Sequence, residues 1–216
     1  MNFILYKSNK LVRVLLAAYI VAGLVFAFAP QAWFPAIYML PLMSKLSFLS
    51  AFLVLLPVLL IRVRNKKEED ALKRFQGIVA FGLFINSLGG LGLYKLYQYG
   101  FQYDKLTHYV TPLVLTVGFT ELFMTWRGWT KKRALLFSAI LVFAGGIVWE
   151  FLEFYSDRLL DTTLVGLGGE HQRVDTTWDI IFNTLGIVSA LIYLQFKSRN
   201  TGASKEKQDV SLVQEN

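Results

Sequence analysis

The residues able to do chemistry lie in the second half of the chain. Asp104 and His108 stand four apart, Glu150, Glu153 and Asp157 follow at spacings of three and four, and Asp175, Asp179 and Asn183 recur at intervals of four. On an α-helix such spacings put side chains on one face, so each set forms a stripe. Carboxylate oxygen and imidazole nitrogen suit Mg²⁺, Mn²⁺ or Zn²⁺, and an ion held by Glu150, Glu153, Asp179 and His108 would polarise a phosphoryl oxygen or activate water. His108 or Glu153 would then be the general base or acid. Lys105 and Arg173 would hold phosphate oxygens, with Asn183 also on the substrate side. Asp104, Asp157, Asp175 and His171 stand close in sequence as supporting groups. The chain has no cysteine, which excludes disulfides, thiolate ligands and thiol nucleophiles.

Each group also has a purely structural role open to it. Asp104 and His108 fit an interfacial hydrogen-bonded cap, and Asp175 fits the N-cap of a helix starting after it. His171, in the glycine-rich stretch Gly166 to Arg173, fits a solvated loop residue, although that loop is flexible enough to fold over the site. Gly166, Gly168 and Gly169 are not followed by the Lys-Ser/Thr of a phosphate loop, and no H-E-x-x-H is present.

The elements that position these stripes are membrane spans. Of 216 residues 55% are hydrophobic and 17% charged, and the mean hydropathy is positive, so the bilayer is the expected solvent. Apolar runs predict six transmembrane helices at about 11–29, 41–61, 78–94, 106–126, 134–155 and 177–196, forming one all-α domain over 1–196 with a disordered cytoplasmic tail at 197–216. Ala27-Phe28-Ala29 mimics a signal-peptide cleavage site, but Pro30 follows it directly, which favours a retained span.

Basic residues set the orientation. With the N-terminus inside, the cytoplasmic segments hold 17 of the 22 Lys and Arg, and only Lys45, Lys95, Lys105, Arg158 and Arg173 lie outside. Eight carboxylates fall outside, leaving the outer half at −3 and the inner half at +10, in agreement with the net +7. The basicity is therefore a topology signal, and nucleic-acid binding is not expected. Glu150 and Asn183 fall at hydrocarbon depth, where a carboxylate facing lipid costs about 2.5–3.5 kcal/mol. The stripes should consequently face one another or a wet cavity.

The ordered set Tyr103-Asp104-Lys105-x-x-His108, Trp149-Glu150-x-x-Glu153 and Gln172-Arg173-x-Asp175-Thr176-x-x-Asp179-x-x-x-Asn183-x-x-Gly186 resembles the YjdF-type integral membrane proteins, with a weaker likeness to the VanZ-like family associated with teicoplanin resistance. The resemblance covers about Tyr103 to Gly186. It implies a multi-spanning plasma-membrane protein, most simply prokaryotic, and no particular reaction. Three functions fit the residues: a metal-dependent enzyme acting on a lipid or lipid-linked headgroup, a small-cation or proton-coupled carrier, and a non-enzymatic envelope structural or interaction protein. Acids confined to the second half of the chain, with no inverted repeat, weigh against the carrier.

Overall fold

The computed structural model describes residues 9–35, 38–160 and 170–214, excepting the side chains at 157, 160, 170–173 and 198–214. The six α-helices are α1 (Lys10–Phe28), α2 (Leu40–Leu60), α3 (Lys66–Gly90), α4 (Tyr103–Trp126), α5 (Lys131–Leu160) and α6 (Glu170–Gln214). Short 3₁₀ helices cover Gln31–Trp33 and Leu93–Tyr99. No strand occurs among the described residues.

The surface is inverted relative to a water-soluble protein. Val21, Phe52, Leu136, Ile140 and Phe151 are exposed, whereas Glu150, Asp179 and Asn183 are buried. That distribution is what a bilayer solvent selects, since apolar side chains lose nothing by facing lipid and carboxylates must turn inward. Four helical stretches are long and apolar enough to cross a membrane: Lys10–Phe28, Leu40–Leu60, Lys131–Ser156 and Val174–Lys197. A fifth arises if α3 and the 3₁₀ helix after it, bent by 55°, form one broken span. At 24 residues α4 is long enough. Its apolarity falls short because it carries Asp104, Lys105, His108, Glu121 and several threonines.

Several boundaries differ from those read in the sequence. The third apolar run, expected at 78–94, belongs to a helix that starts at Lys66 and stops at Gly90. Asn65 caps its start by accepting from Glu68 N at 2.9 Å, while Glu68 accepts from Asn65 Nδ2 at 3.0 Å and Arg64 N at 2.9 Å. The stop lies in the run Gly89-Gly90-Leu91-Gly92, where Gly92 takes φ 127°, a conformation costly to any residue with a Cβ. Helix α6 begins seven residues before the expected 177 and runs on through the segment expected to be disordered, 197–214. That segment contains no proline and includes good helix formers such as Ala203, Lys205, Glu206 and Lys207.

The chain groups into two compact units: residues up to Thr107 with Gly118–Ala134, and His108–Val117 with the chain from Leu135 onward. In the first, α2 crosses α1 at Gly23, where a Cβ would lie 2.9 Å from the Phe48 ring and the Ser44 hydroxyl donates to the Gly23 carbonyl at 2.9 Å. Val12, Tyr19, Ala51, Val54 and Ala80 form the core there. The second unit carries most of the polar stripes.

Candidate functional site

Two glycines let the second unit close. A Cβ at Gly186 would lie only 2.2 Å from the Tyr109 carbonyl oxygen, so the α4 and α6 backbones touch at that point. One turn further along α6, the Tyr109 hydroxyl and Ser189 Oγ hydrogen-bond at 3.0 Å. A Cβ at Gly146 would lie 3.0 Å from Asn183 Nδ2, so the bare backbone of α5 makes room for that amide. Small residues at helix crossings are the usual means of close approach in membranes, where apolar burial alone does not drive association.

These approaches bring His108, Glu150, Glu153 and Asp179 together. His108 Nδ1 lies 3.8 Å from Glu150 Oε1, and Nε2 lies 3.6 Å from Asp179 Oδ1. Both separations exceed the 2.7–3.2 Å of a direct hydrogen bond. One ligand atom from each of His108, Glu150 and Glu153 can be chosen so that all three lie within 4.8 Å of one another. Two ligands at about 2.1 Å from an ion in tetrahedral geometry are about 3.4 Å apart, so a small contraction would close this set on a cation. Trp149 Nε1 donates to Glu153 Oε1 at 2.8 Å and so fixes one carboxylate oxygen. Apart from half-buried Glu153, the cluster is out of contact with the surroundings: relative exposure is 9% for His108, 7% for Glu150, 3% for Asp179 and 6% for Asn183.

Pro112 adds a backbone feature. Having no N–H, it cannot donate to the carbonyl four residues earlier, which belongs to His108.

The other sequence-selected residues divide as follows. Asp104 and Lys105 lie in the first unit and pair with each other at 3.0 Å. Because α4 starts at Tyr103, Asp104 stands one helical turn before His108. Asp175, considered as an N-cap, is instead in the second turn of α6, because that helix already starts at Glu170. For the same reason His171 and Arg173, placed in a loop by the sequence, have helical backbones. Their side chains and that of Asp157 lie outside the described residues, as do residues 161–169 with the glycines of the loop. Sequence reasoning passed over Gly146 and Tyr109, whose signals were a Gly-Gly pair inside an apolar helix and a tyrosine beside the histidine.

A bundle of apolar helices with exposed hydrophobic faces and a buried imidazole–carboxylate cluster defines an α-helical integral membrane protein. Residues 11–200 match the family described as "Predicted membrane protein (DUF2238)", and the chain belongs to it. The YjdF-type resemblance is consistent with that membership. The chain is also similar to a Thermotoga maritima protein described as uncharacterized, at 30% identity over 123 residues, which is 55% of this chain and 60% of that protein. No solved structure matches it.

Proposed function

We propose that the protein is a six-span plasma-membrane protein, N- and C-termini inside, whose buried cluster binds a divalent cation and acts on a lipid or lipid-linked headgroup. The observation that carries this reading is the orientation of His108. Its Nδ1 faces Glu150 of the compact His108–Glu150–Glu153 set, and its Nε2 faces Asp179. A metal-bound histidine commonly gives its other N–H to a carboxylate in this way, which fixes the ring and raises its basicity. Three protein ligands would leave a coordination position for water or a phosphoryl oxygen, as catalytic sites require. Imidazole in the set favours Zn²⁺ over Mg²⁺, while the carboxylates also suit Mn²⁺. The VanZ-like resemblance supports a role at the cell envelope and no specific reaction.

A second reading rests on the two separations of 3.6 and 3.8 Å: an imidazolium held between Glu150 and Asp179, which would serve a proton-coupled carrier or simply join the helices. Two variants distinguish them. Metal content is measured on detergent-purified protein carrying Glu153→Gln or Asp179→Asn. A cation site predicts that Glu153→Gln abolishes stoichiometric Mn²⁺ or Zn²⁺, whereas Asp179→Asn weakens it about 10–100-fold. Metal-free wild type, with Asp179→Asn the more destabilising change, would reject the cation and leave the imidazolium.

A further inference from the structure

The first unit carries a second polar assembly, apart from the cluster around His108. The turn between α2 and α3 is tied to the end of α4: Arg64 Nη2 donates to the Trp126 carbonyl at 2.8 Å, and Trp126 Nε1 donates to the Arg62 carbonyl at 3.2 Å. These bonds join two basic segments far apart in sequence, Arg62 to Arg74 and Arg127 to Arg133. The nearby carboxylates are already engaged. Glu68 holds Arg64 at 3.3 Å, Asp70 holds Lys66 at 2.9 Å, and Glu69 is shared by Lys66 and Lys73. Arg62, Lys67, Arg74, Arg127, Lys132 and Arg133 are exposed and form no ion pair with a carboxylate among the described residues.

We propose that this face binds the phosphate headgroups of acidic phospholipids. Its position supports the choice of a lipid. Arg62 follows closely on Leu60, the last residue of an apolar helix, and Lys131 opens another. Leu59 and Leu60, at 60% and 70% exposure, closely precede Arg62 in the chain with surface suited to acyl chains. The patch therefore sits where headgroups meet hydrocarbon, the level at which Trp and basic residues gather. Its chemistry agrees. Arg127 lies 4.2 Å over the Trp126 ring and Arg133 lies 4.5 Å over that of Trp129. A guanidinium stacked on a ring keeps its planar N–H edge available for a bidentate phosphate contact. A nucleic acid would need this surface clear of the bilayer, and the preceding leucines oppose that.

The test uses the full chain in neutral detergent, with native mass spectrometry of mixed phosphatidylglycerol and phosphatidylcholine. The expected result is selective retention of phosphatidylglycerol. Each cation removed weakens retention about fivefold, so Lys67→Gln, Arg74→Gln and Lys132→Gln together reduce it roughly 100-fold. Lys67→Arg with Lys132→Arg, which keeps both charges, leaves it unchanged, as does Lys45→Gln at the opposite end of α2. If the triple variant does not stay monodisperse, Lys67→Gln alone decides by its fivefold drop. Equal retention of both lipids, or unchanged retention in the variants, overturns the proposal. So does displacement of phosphatidylglycerol by millimolar inorganic phosphate or by an oligonucleotide, which would show a soluble anion or nucleic acid to be the occupant.

Discussion

Replacing Gly186 with Ala tests whether the α4–α6 contact positions the cluster. The new Cβ would lie 2.2 Å from the Tyr109 carbonyl oxygen and 3.2 Å from Leu113 N. Carbon–oxygen contacts settle no closer than about 3.3 Å, so the two helices must part by about 1 Å. Overpacking of this kind costs about 1–3 kcal/mol. The same shift carried to His108 and Asp179 would lengthen their 3.6 Å separation to about 4.7 Å. For an ionised pair at an effective dielectric of 20, that loses about 1 kcal/mol. The helix-propensity gain from Gly to Ala offsets about 1 kcal/mol. Net destabilisation of about 1–3 kcal/mol is expected, read as a lower Tm in detergent. Metal ligands tolerate only about 0.2 Å of displacement, so metal content should fall as well. Gly145→Ala is the control, because a Cβ there meets nothing within 4 Å. It should leave Tm unchanged or raise it. If Gly186→Ala behaves like Gly145→Ala, the contact is not what sets the site.

Two further predictions concern parts of the chain outside the cluster. Arg64, chiefly through its backbone N–H, holds the carboxyl of Glu68 below its usual value of 4.5, in the charged turn ahead of the apolar part of α3. A carboxyl depressed on folding contributes stability that is present above its unfolded pKa and lost as pH falls below about 4.5 through the folded value. Acid melting curves should therefore be flatter for Glu68→Gln than for wild type, and parallel curves would remove Glu68 from the account. Topology is testable without background because the chain lacks cysteine. In intact cells Ser156→Cys should react with an impermeant maleimide and Ser204→Cys only after permeabilisation, and the reverse would invert the orientation.

How far the sequence could be read depended on the kind of signal at each position. The ends of α1 and α2 fall within a residue of the apolar runs, because Pro30 and the charged stretch after Leu60 interrupt hydrophobicity and helix together. The start of α3 was missed because hydropathy does not register a reciprocal Asn65–Glu68 cap placed in a charged segment. For α6 a polar opening turn, Glu170 to Arg173, read as loop. The stripes of Glu150 with Glu153 and Asp179 with Asn183 follow from the helical period alone and needed no knowledge of partners. What remained illegible was cross-helix: that Gly146 opposes Asn183, or that Gly186 lies against Tyr109, depends on which faces meet.

The low apolarity of α4 bears on how the protein is made. A chain enters the bilayer helix by helix, and a segment carrying Asp104, Lys105, His108 and Glu121 gains little by partitioning into lipid alone. Helices α1, α2 and α5, by contrast, contain stretches long and apolar enough to cross a membrane. On the six-span reading proposed above, α4 would be retained by polar partners that are synthesised after it, Glu150 on α5 and Asp179 on α6. On that reading the nascent protein would have to shelter α4 at the insertion machinery until those helices arrive. A ribosome stalled before Asp179 would hold a chain that is in the membrane at its first two helices and still uncommitted at its fourth.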